Sequence, residues 1–344
     1  MKKRRIISLL LTILCIISII PTNVANAQTN DYLINVAGEF MSLAINSPSD
    51  YGLDISEYGN LQLSDEITPY QYNEDGILES IPTIKYYFVM NNSKPIATLI
   101  ESWNEKDNTP SVTFETDTAK KLEKFNSNSF TLVCIDNSVS IENSDYNTNL
   151  YNNLRSFNTT FSSALSADFS TYSLPASYGL NMPIKLQGQD ENCWAASVAS
   201  ILQYKKGISK TARQVCNDAG IGYNDGADQN EISASLSSYG INNYIAGGFY
   251  QNVGDIYTLL SSSYIPNAIF GANLWDSSTS NDAAHSVIIR GYSASTQGAY
   301  LSIMDPNKSS YSMIFTGYAP DGTLTWTLTY SAFTMYWIDT IVAY

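Results

Sequence analysis

The chain has 344 residues, enough for two domains of ordinary size, and a formal net charge of −14. This acidic balance argues against nucleic acid and anionic membranes as partners, because like charges repel. The sequence holds one histidine and four cysteines, and none of them has zinc-ligand spacing. We therefore expect no metal, no cofactor and no disulfide scaffold.

The first residues predict export. Basic residues 2–5 precede an apolar run from Ile6 to Ile20, and Val24-Ala25-Asn26-Ala27 has the small-residue pattern of a signal cleavage site. The run is short for a membrane-spanning helix. We therefore expect residues 1–27 to be a secretory signal peptide and the mature protein to be extracellular, without a membrane anchor. Cys134, Cys193 and Cys216 remain after cleavage, so at least one thiol is unpaired within the chain.

Residues 28–136 predict a small α+β leader domain. Apolar residues within Ile34–Ala44 recur at helical spacing. Alternating apolar residues then predict strands, two of them joined by a hairpin turn at Asn91–Ser93. Thr116 or Asp117 is expected to cap a short helix that reaches Phe125. The predicted strands are Leu61–Leu63, Tyr86–Met90, Ile96–Ile100, Val112–Phe114 and Phe130–Ile135.

A polar linker is predicted over residues 137–173. There the composition shifts to Asn, Ser, Thr and Tyr, with few large aliphatic residues. Exposed polar linkers are preferred sites of proteolysis, so we expect a processing site in this stretch. The core pattern resumes at Leu174 and continues to the C-terminus, which defines a second domain, residues 174–344.

The second domain is predicted to have helices first and strands second. The helices follow Cys193 and cover Thr211–Ala219, Gln229–Tyr239 and Asp255–Ser261; the strands are Ile269–Phe270, Ser286–Ile289, Tyr300–Met304, Met313–Thr316, Leu324–Tyr330 and Trp337–Val342. This order predicts an α+β domain in which a helical half faces a sheet half across a cleft.

The segment from Gln187 to Ser197 contains the first candidate for chemistry. It places Cys193 at a predicted helix start, where Asn192 is expected to cap the helix. The helix dipole favours a thiolate there, and the thiolate is the attacking form of a cysteine. From this segment alone, a small buried core cysteine remains an open interpretation.

Two further candidates lie in the sheet half. His285, the single histidine, opens the strand that ends in Arg290-Gly291-Tyr292, and Asp305 follows the strand Tyr300–Met304. A base for Cys193 would have to be His285, and a carboxylate beside it would hold the imidazole in its working tautomer. A structural histidine and a turn-forming Asp-Pro pair are the alternatives.

These residues resemble a known family. Gln187-Gly188, four further residues and Cys193-Trp194-Ala195-x-Ser197 are similar to the nucleophile motif of papain-like cysteine peptidases. His285 before an aliphatic strand, and then Asp305-Pro306, resemble the compact bacterial, staphopain-like branch. The resemblance covers residues 174–344 and implies a papain-like two-lobed fold.

The resemblance also implies roles and an activity. Cys193 is then the nucleophile, His285 the base and acid, Asp305 its orienting partner, and Gln187 a donor to the oxyanion. Many plant and animal relatives have asparagine at the position of Asp305. The implied function is that of a secreted thiol endopeptidase acting on protein or peptide substrates. The implied form is a zymogen, in which residues 28–136 are a propeptide that inhibits the peptidase intramolecularly; a permanent binding domain is the alternative.

Three other functions remain open at this stage. A papain fold also supports transpeptidation and cell-wall amide hydrolysis, because an acyl-enzyme reacts with water or with an amine. Cell-wall hydrolases of this kind carry Asp-Cys-Ser at the nucleophile, whereas this chain has Asn192-Cys193-Trp194. A non-catalytic surface-binding protein is the third possibility.

Overall fold

The computed structural model describes residues 22–54, 59–104, 108–125, 130–135, 138–143, 150, 153–159, 175, 177–188, 191–271, 284–330 and 333–344. Residues 1–21 of the predicted signal peptide lie outside the described residues. So do 137, 144–149, 151–152 and 160–173 of the predicted linker, and the predicted domain start at Leu174. Within the described ranges, no helix is long and apolar enough to cross a membrane.

The N-terminal part, residues 22–159, contains a helix followed by strands and a short second helix. Its elements are α1 (Thr22–Ile45), β1 (Leu61–Leu63), β2 (Tyr70–Tyr72), β3 (Leu78–Ser80), β4 (Lys85–Asn91), β5 (Lys94–Asn104), β6 (Thr109–Glu115), α2 (Asp117–Lys124), β7 (Phe130–Ile135), β8 (Ser138–Asn143) and β9 (Arg155–Ser156). The predicted α+β character is confirmed. Asn92 and Ser93, at φ angles of 49° and 67°, form the predicted hairpin turn between β4 and β5.

The ordered N-terminal structure extends beyond the predicted boundary at residue 136. Strand β8 lies in the segment predicted to be a linker, yet it pairs antiparallel with β7 along its whole length. Val139 is buried and Ile141 packs against the same core, so alternating apolar residues anchor this strand among polar neighbours. Ala27, the predicted signal cleavage position, falls within α1.

Within its described residues, the second part, residues 175–344, has its four helices before its six C-terminal strands, as predicted, but two short strands that were not predicted, at Ser177–Gly179 and Asn243–Ile245, precede and interrupt the helices. Its elements are β10 (Ser177–Gly179), α3 (Cys193–Lys206), α4 (Ala212–Ala219), α5 (Gln229–Ser238), β11 (Asn243–Ile245), α6 (Val253–Ser261), β12 (Ile265–Gly271), β13 (His285–Ala294), β14 (Gly298–Met304), β15 (Ser312–Gly317), β16 (Thr327–Tyr330) and β17 (Phe333–Ala343). The α+β fold class is thereby confirmed.

Local chemistry explains where the helices of this part begin and end. Thr211 and Gln214 form a reciprocal capping box at the start of α4, and Asp228 and Glu231 form one at the start of α5. Gly207, at a φ of 70°, ends α3 in the left-handed conformation that glycine tolerates best. Helix α3 is buried along its first ten residues, as expected of a central helix.

One antiparallel sheet runs through both parts of the chain. Its strand order is β11-β17-β12-β13-β14-β15-β6-β5-β4-β1-β9, and β10 and β16 pair with β13 and β17. The parts join where β15 pairs with β6, with Met313 opposite Phe114 and Thr316 opposite Ser111. The N-terminal part therefore completes the sheet of the second part. A smaller sheet, β3-β2-β7-β8, lies in the N-terminal part.

Helix α1 packs on this shared sheet and contacts residues of both parts of the chain. The ring of Phe40 lies 5.2 Å from that of Phe114 and 5.0 Å from that of Tyr300, measured between centroids. The Tyr51 hydroxyl is 2.9 Å from Ser302 Oγ in the second part. Because one apolar cluster contains residues of α1, β6, β14 and β15, folding of the second part buries surface of the first.

Candidate active site

Cys193 is the first residue of α3 and is buried. Its Sγ accepts the backbone N–H of Ser286 at 3.4 Å and lies 3.9 Å from the carbonyl oxygen of Ala284. These two residues flank His285, so the thiol faces the beginning of β13. The helix N-terminus and the Ser286 N–H both favour a negative sulfur.

His285 and Asp305 meet because β13 and β14 are neighbouring strands. His285 is the first residue of β13, and Asp305 follows the last residue of β14. The pair Ile288–Met304 sets the register that brings the strand ends together. The Nε2 atom of His285 lies 2.9 Å from Oδ1 of Asp305, and Asp305 is only 1% exposed.

The pKa shifts of the thiol and the imidazole favour an ion pair. Burial opposes charge on Cys193, yet the hydrogen bond and charge of His285, with the N–H groups of Ser286 and Trp194, hold the thiol pKa below its ordinary value. Burial also opposes charge on His285, but Asp305 and Cys193 raise its pKa to about 10. Each group thus stabilises the charged form of the other.

Gln187 is tied to the same site through its backbone. Its N–H donates to the carbonyl oxygen of Pro306 at 3.0 Å, and its own carbonyl oxygen accepts the Tyr223 hydroxyl at 3.1 Å. The side chain of Gln187 is buried. Three segments distant in sequence therefore converge: the stretch that contains Gln187 and Cys193, the start of β13 at His285, and the turn at Asp305. The four predicted site residues belong to these three segments.

The predicted cap of α3 is wrong. Asn192 makes no side-chain hydrogen bond to the helix; its Nδ2 donates instead to the carbonyl oxygen of Tyr223 at 3.0 Å. On the other side of Cys193, the indole Nε1 of Trp194 donates to the carbonyl oxygen of Asp225 at 3.2 Å. Asn192 and Trp194, on either side of Cys193, thus bind the loop at residues 223–225 to the start of α3.

Sequence reasoning missed several supporting residues. Tyr223 and Asp225 accept bonds through carbonyl oxygens, which every residue has, so no sequence signal marks them. Ser197 did have a signal, because it belongs to the nucleophile motif. Its buried hydroxyl donates to the Ser286 carbonyl oxygen at 3.2 Å and thereby joins α3 to β13 one residue after His285.

Among the residues that the structure describes, no group of three His, Cys, Asp or Glu side chains could hold a metal ion. Cys134 and Cys216 are buried as well. Burial raises the pKa of Cys216, in contrast to Cys193. A thiol, an imidazole and a carboxylate bonded to that imidazole are a set of groups that can carry out thiol-dependent acyl transfer.

This site and its α+β scaffold define the class of a cysteine hydrolase. Residues 176–321 match the family described as papain-like cysteine protease AvrRpt2, so this part of the chain is similar to that family. The papain-like resemblance read from the sequence is confirmed, and the enzyme is a cysteine peptidase. The match includes Cys193, His285 and Asp305.

Solved structures similar to the chain include two from animals. One is digestive procathepsin L 3 of the Tenebrio molitor larval midgut, at 13% identity and a TM-score of 0.32, covering 53% of this chain and 72% of that one. The other comes from work on the mite allergens Blo t 1 and Der p 1, at 15% identity and a TM-score of 0.27, covering 45% and 75%. The comparison with curated proteins gave no match.

Proposed function

We propose that the protein is a secreted thiol endopeptidase that hydrolyses peptide bonds through an acyl-enzyme on Cys193. The Sγ thiolate attacks the scissile carbonyl carbon, and the imidazolium of His285 protonates the leaving amine. His285 then takes a proton from water, which attacks the thioester and releases the carboxylic acid product. The thiol is regenerated, so no other reactant is consumed.

The observation that supports this proposal most strongly is the pairing of His285 with Asp305. Since Nε2 is bonded to Asp305 at 2.9 Å, the Nδ1 edge of the ring is the one available to Cys193. The carboxylate therefore orients the ring and stabilises its cationic form at the same time. Gln187 is proposed to donate its side-chain amide to the oxyanion, together with the backbone N–H of Cys193.

Export is part of the proposal. Cleavage after Ala27 would release an acidic mature chain outside the cell. The cleavage position lies within α1, and Leu33, further along that helix, is buried. Cleavage after Ala27 would leave Leu33 in the mature chain. Mass spectrometry of protein from the culture medium tests this, and an intact N-terminus on exported, folded protein would contradict it.

The N-terminal part is proposed to be a propeptide, on the basis of its position and of the polar stretch over residues 137–173. Because β6 pairs with β15, a cut in that stretch would not by itself separate the two parts. N-terminal sequencing of the active species tests the idea. A start within 137–173 is expected, and full activity in a species that begins near Gln28 would overturn it.

Casein cleavage by the secreted protein tests the activity itself. The wild-type protein should cleave casein, and a thiol-alkylating peptide epoxide should abolish the cleavage. Cys193→Ala should be inactive yet folded, whereas Cys216→Ala, which removes a different buried thiol, should retain activity. Undiminished cleavage by Cys193→Ala would refute the mechanism.

A further inference from the structure

A partly buried cation lies in the turn that follows Asp305. Lys308 Nζ is 3.2 Å from Oε2 of Glu115, and the side chains are 18% and 1% exposed. The Lys308 N–H donates to the Asp305 carbonyl oxygen, and the Asn307 N–H donates to Asp305 Oδ1, each at 2.9 Å. The turn that presents Lys308 is therefore the one that holds the Asp305 carboxylate.

Glu115 comes from the N-terminal part, at the last residue of β6. Its carboxylate accepts the N–H groups of Asp117 at 2.8 Å and Thr118 at 3.1 Å, and so caps α2. The predicted cap by Thr116 or Asp117 is wrong, since Thr116 makes no side-chain cap bond. Although burial opposes its charge, Lys308 and Thr118 hold the pKa of Glu115 below its ordinary value.

Lys308, Glu115 and Asp305 line one cavity of about 20 Å³. Lys308 is faced by the charges of Glu115, Asp117 and Asp305, which raise its pKa against the effect of burial. Tyr86 faces Glu115 from β4, and His285 lies on the other side of Asp305. The Lys308 cation is thus near two buried carboxylates, those of Glu115 and Asp305, and the Asp305 carboxylate is the one that bonds His285.

We propose that Glu115 is a positioning residue of the peptidase site: by pairing with Lys308 it keeps this cation from Asp305 and reserves the Asp305 carboxylate for His285. Without Glu115, the positive charge of Lys308 acts on Asp305 and on the imidazolium behind it. Both effects disfavour the charged form of His285. This inference rests on the proposed roles of Cys193, His285 and Asp305, and it makes the N-terminal part a contributor to the site.

The test uses the full-length protein and three variants: Glu115→Gln, Lys308→Met and the double variant. The pH dependence of kcat/KM on a fluorogenic peptide and of Cys193 alkylation by iodoacetamide is measured for each. Glu115→Gln should lower the alkaline limb by about half a pH unit and so reduce kcat/KM by about threefold at pH values above that limb. Lys308→Met should leave that limb in place or raise it. The double variant should return towards wild type, because no cation remains to compete.

Recovery of the pH profile in the double variant distinguishes a positioning role of Glu115 from a merely structural one. If Glu115→Gln only damaged the fold, the additional Lys308→Met substitution would not restore the profile. Asp117→Asn is the matched control. Lys308 forms its ion pair with Glu115, whereas the Asp117 carboxylate accepts the Ser309 hydroxyl, so the profile should change less than in Glu115→Gln. A wild-type profile for Glu115→Gln, or a double variant as impaired as Glu115→Gln, would overturn the proposal.

Folding is followed by thermal melting, because Glu115 also caps α2. If Glu115→Gln does not fold, Lys308→Met alone decides, and an alkaline limb lower than that of wild type would overturn the proposal. A wild-type protein that neither cleaves peptide nor reacts at Cys193 would instead refute the proposed function. The two failures are therefore distinguishable.

Discussion

The Nε2 atom of His285 lies 2.9 Å from Oδ1 of Asp305, across 20 positions of sequence and between two neighbouring strand ends. Both residues are buried, so water screens their interaction weakly. The bond assigns the two ring nitrogens different partners. It also accounts for a His285 pKa of about 10 against the opposing effect of burial.

Asp305→Asn should therefore lower the alkaline limit of activity. The carboxylate raises the pKa of His285, so its removal makes the imidazolium lose its proton at lower pH. We expect kcat/KM at pH 8 to fall by about tenfold or more, with the alkaline limb displaced towards neutral pH. The control Asp321→Asn changes an exposed turn residue and should have no effect. An unchanged pH profile for Asp305→Asn would remove Asp305 as the orienting residue.

Gln187→Ala should reduce kcat while leaving KM nearly unchanged. The backbone bonds of Gln187 to Pro306 and Tyr223 do not involve its side chain, so truncation spares them. Loss of one oxyanion donor typically reduces kcat by about 10²–10³-fold. Leu186→Ala is the matched control, because the neighbouring side chain is 56% exposed. Steady-state kinetics showing equal effects of both variants would contradict the oxyanion role.

Phe114→Ala should destabilise both parts of the chain together. Phe114 is fully buried, stacks on Phe40 and lies opposite Met313 of the second part. Deleting a buried phenylalanine side chain typically lowers the free energy of unfolding by about 3–5 kcal/mol. Denaturant unfolding should show one transition at lower denaturant. Trp103→Ala, on the adjacent strand β5 but 43% exposed, should have a much smaller effect. Two separate transitions in the wild-type protein would contradict a shared core.

Glu101→Gln should remove a pH dependence of stability. Burial raises the Glu101 pKa to about 6, although the Tyr87 hydroxyl donates to it at 3.0 Å. A group whose folded-state pKa is raised stabilises the fold below its unfolded-state pKa, and this contribution is lost as pH rises through about 6. The contribution of Glu101 to the free energy of unfolding of the wild type should fall by about 2 kcal/mol between pH 4 and pH 7.5. Denaturant unfolding at both pH values measures the loss, which should disappear in the variant.

The local part of the site was predictable from sequence because local residues determine it. The start of α3 at Cys193 follows from the apolar period that begins there, and Asp305 follows β14 because Pro306 cannot continue the strand ladder. The spacing between Gln187 and Cys193, which is similar to that of papain-like peptidases, then predicted that both residues belong to one site. These features depend on a few neighbouring residues, so one sequence contains them.

The long-range part was not predictable in the same way. Pairing of β6 with β15 joins Phe114 to Met313 across almost 200 positions, and alternating apolar residues specify a strand face but no partner. Glu115 illustrates the consequence, since nothing in its local sequence relates it to Lys308, with which it pairs. Asn192 does not cap the helix; its Nδ2 donates instead to the carbonyl oxygen of Tyr223, which is distant in sequence.

Selective alkylation of Cys134, Cys193 and Cys216 at pH 6 is the most direct test of Cys193 as an ion-paired nucleophile. Native protein is treated with iodoacetamide, and each cysteine is quantified by peptide mass spectrometry. Cys193 should react rapidly, and His285→Ala should slow its reaction by at least about tenfold, because the imidazolium stabilises the thiolate. Cys134 and Cys216, both buried, should remain unmodified. Equal labelling of all three thiols, or a Cys193 rate unaffected by His285→Ala, would contradict the mechanism.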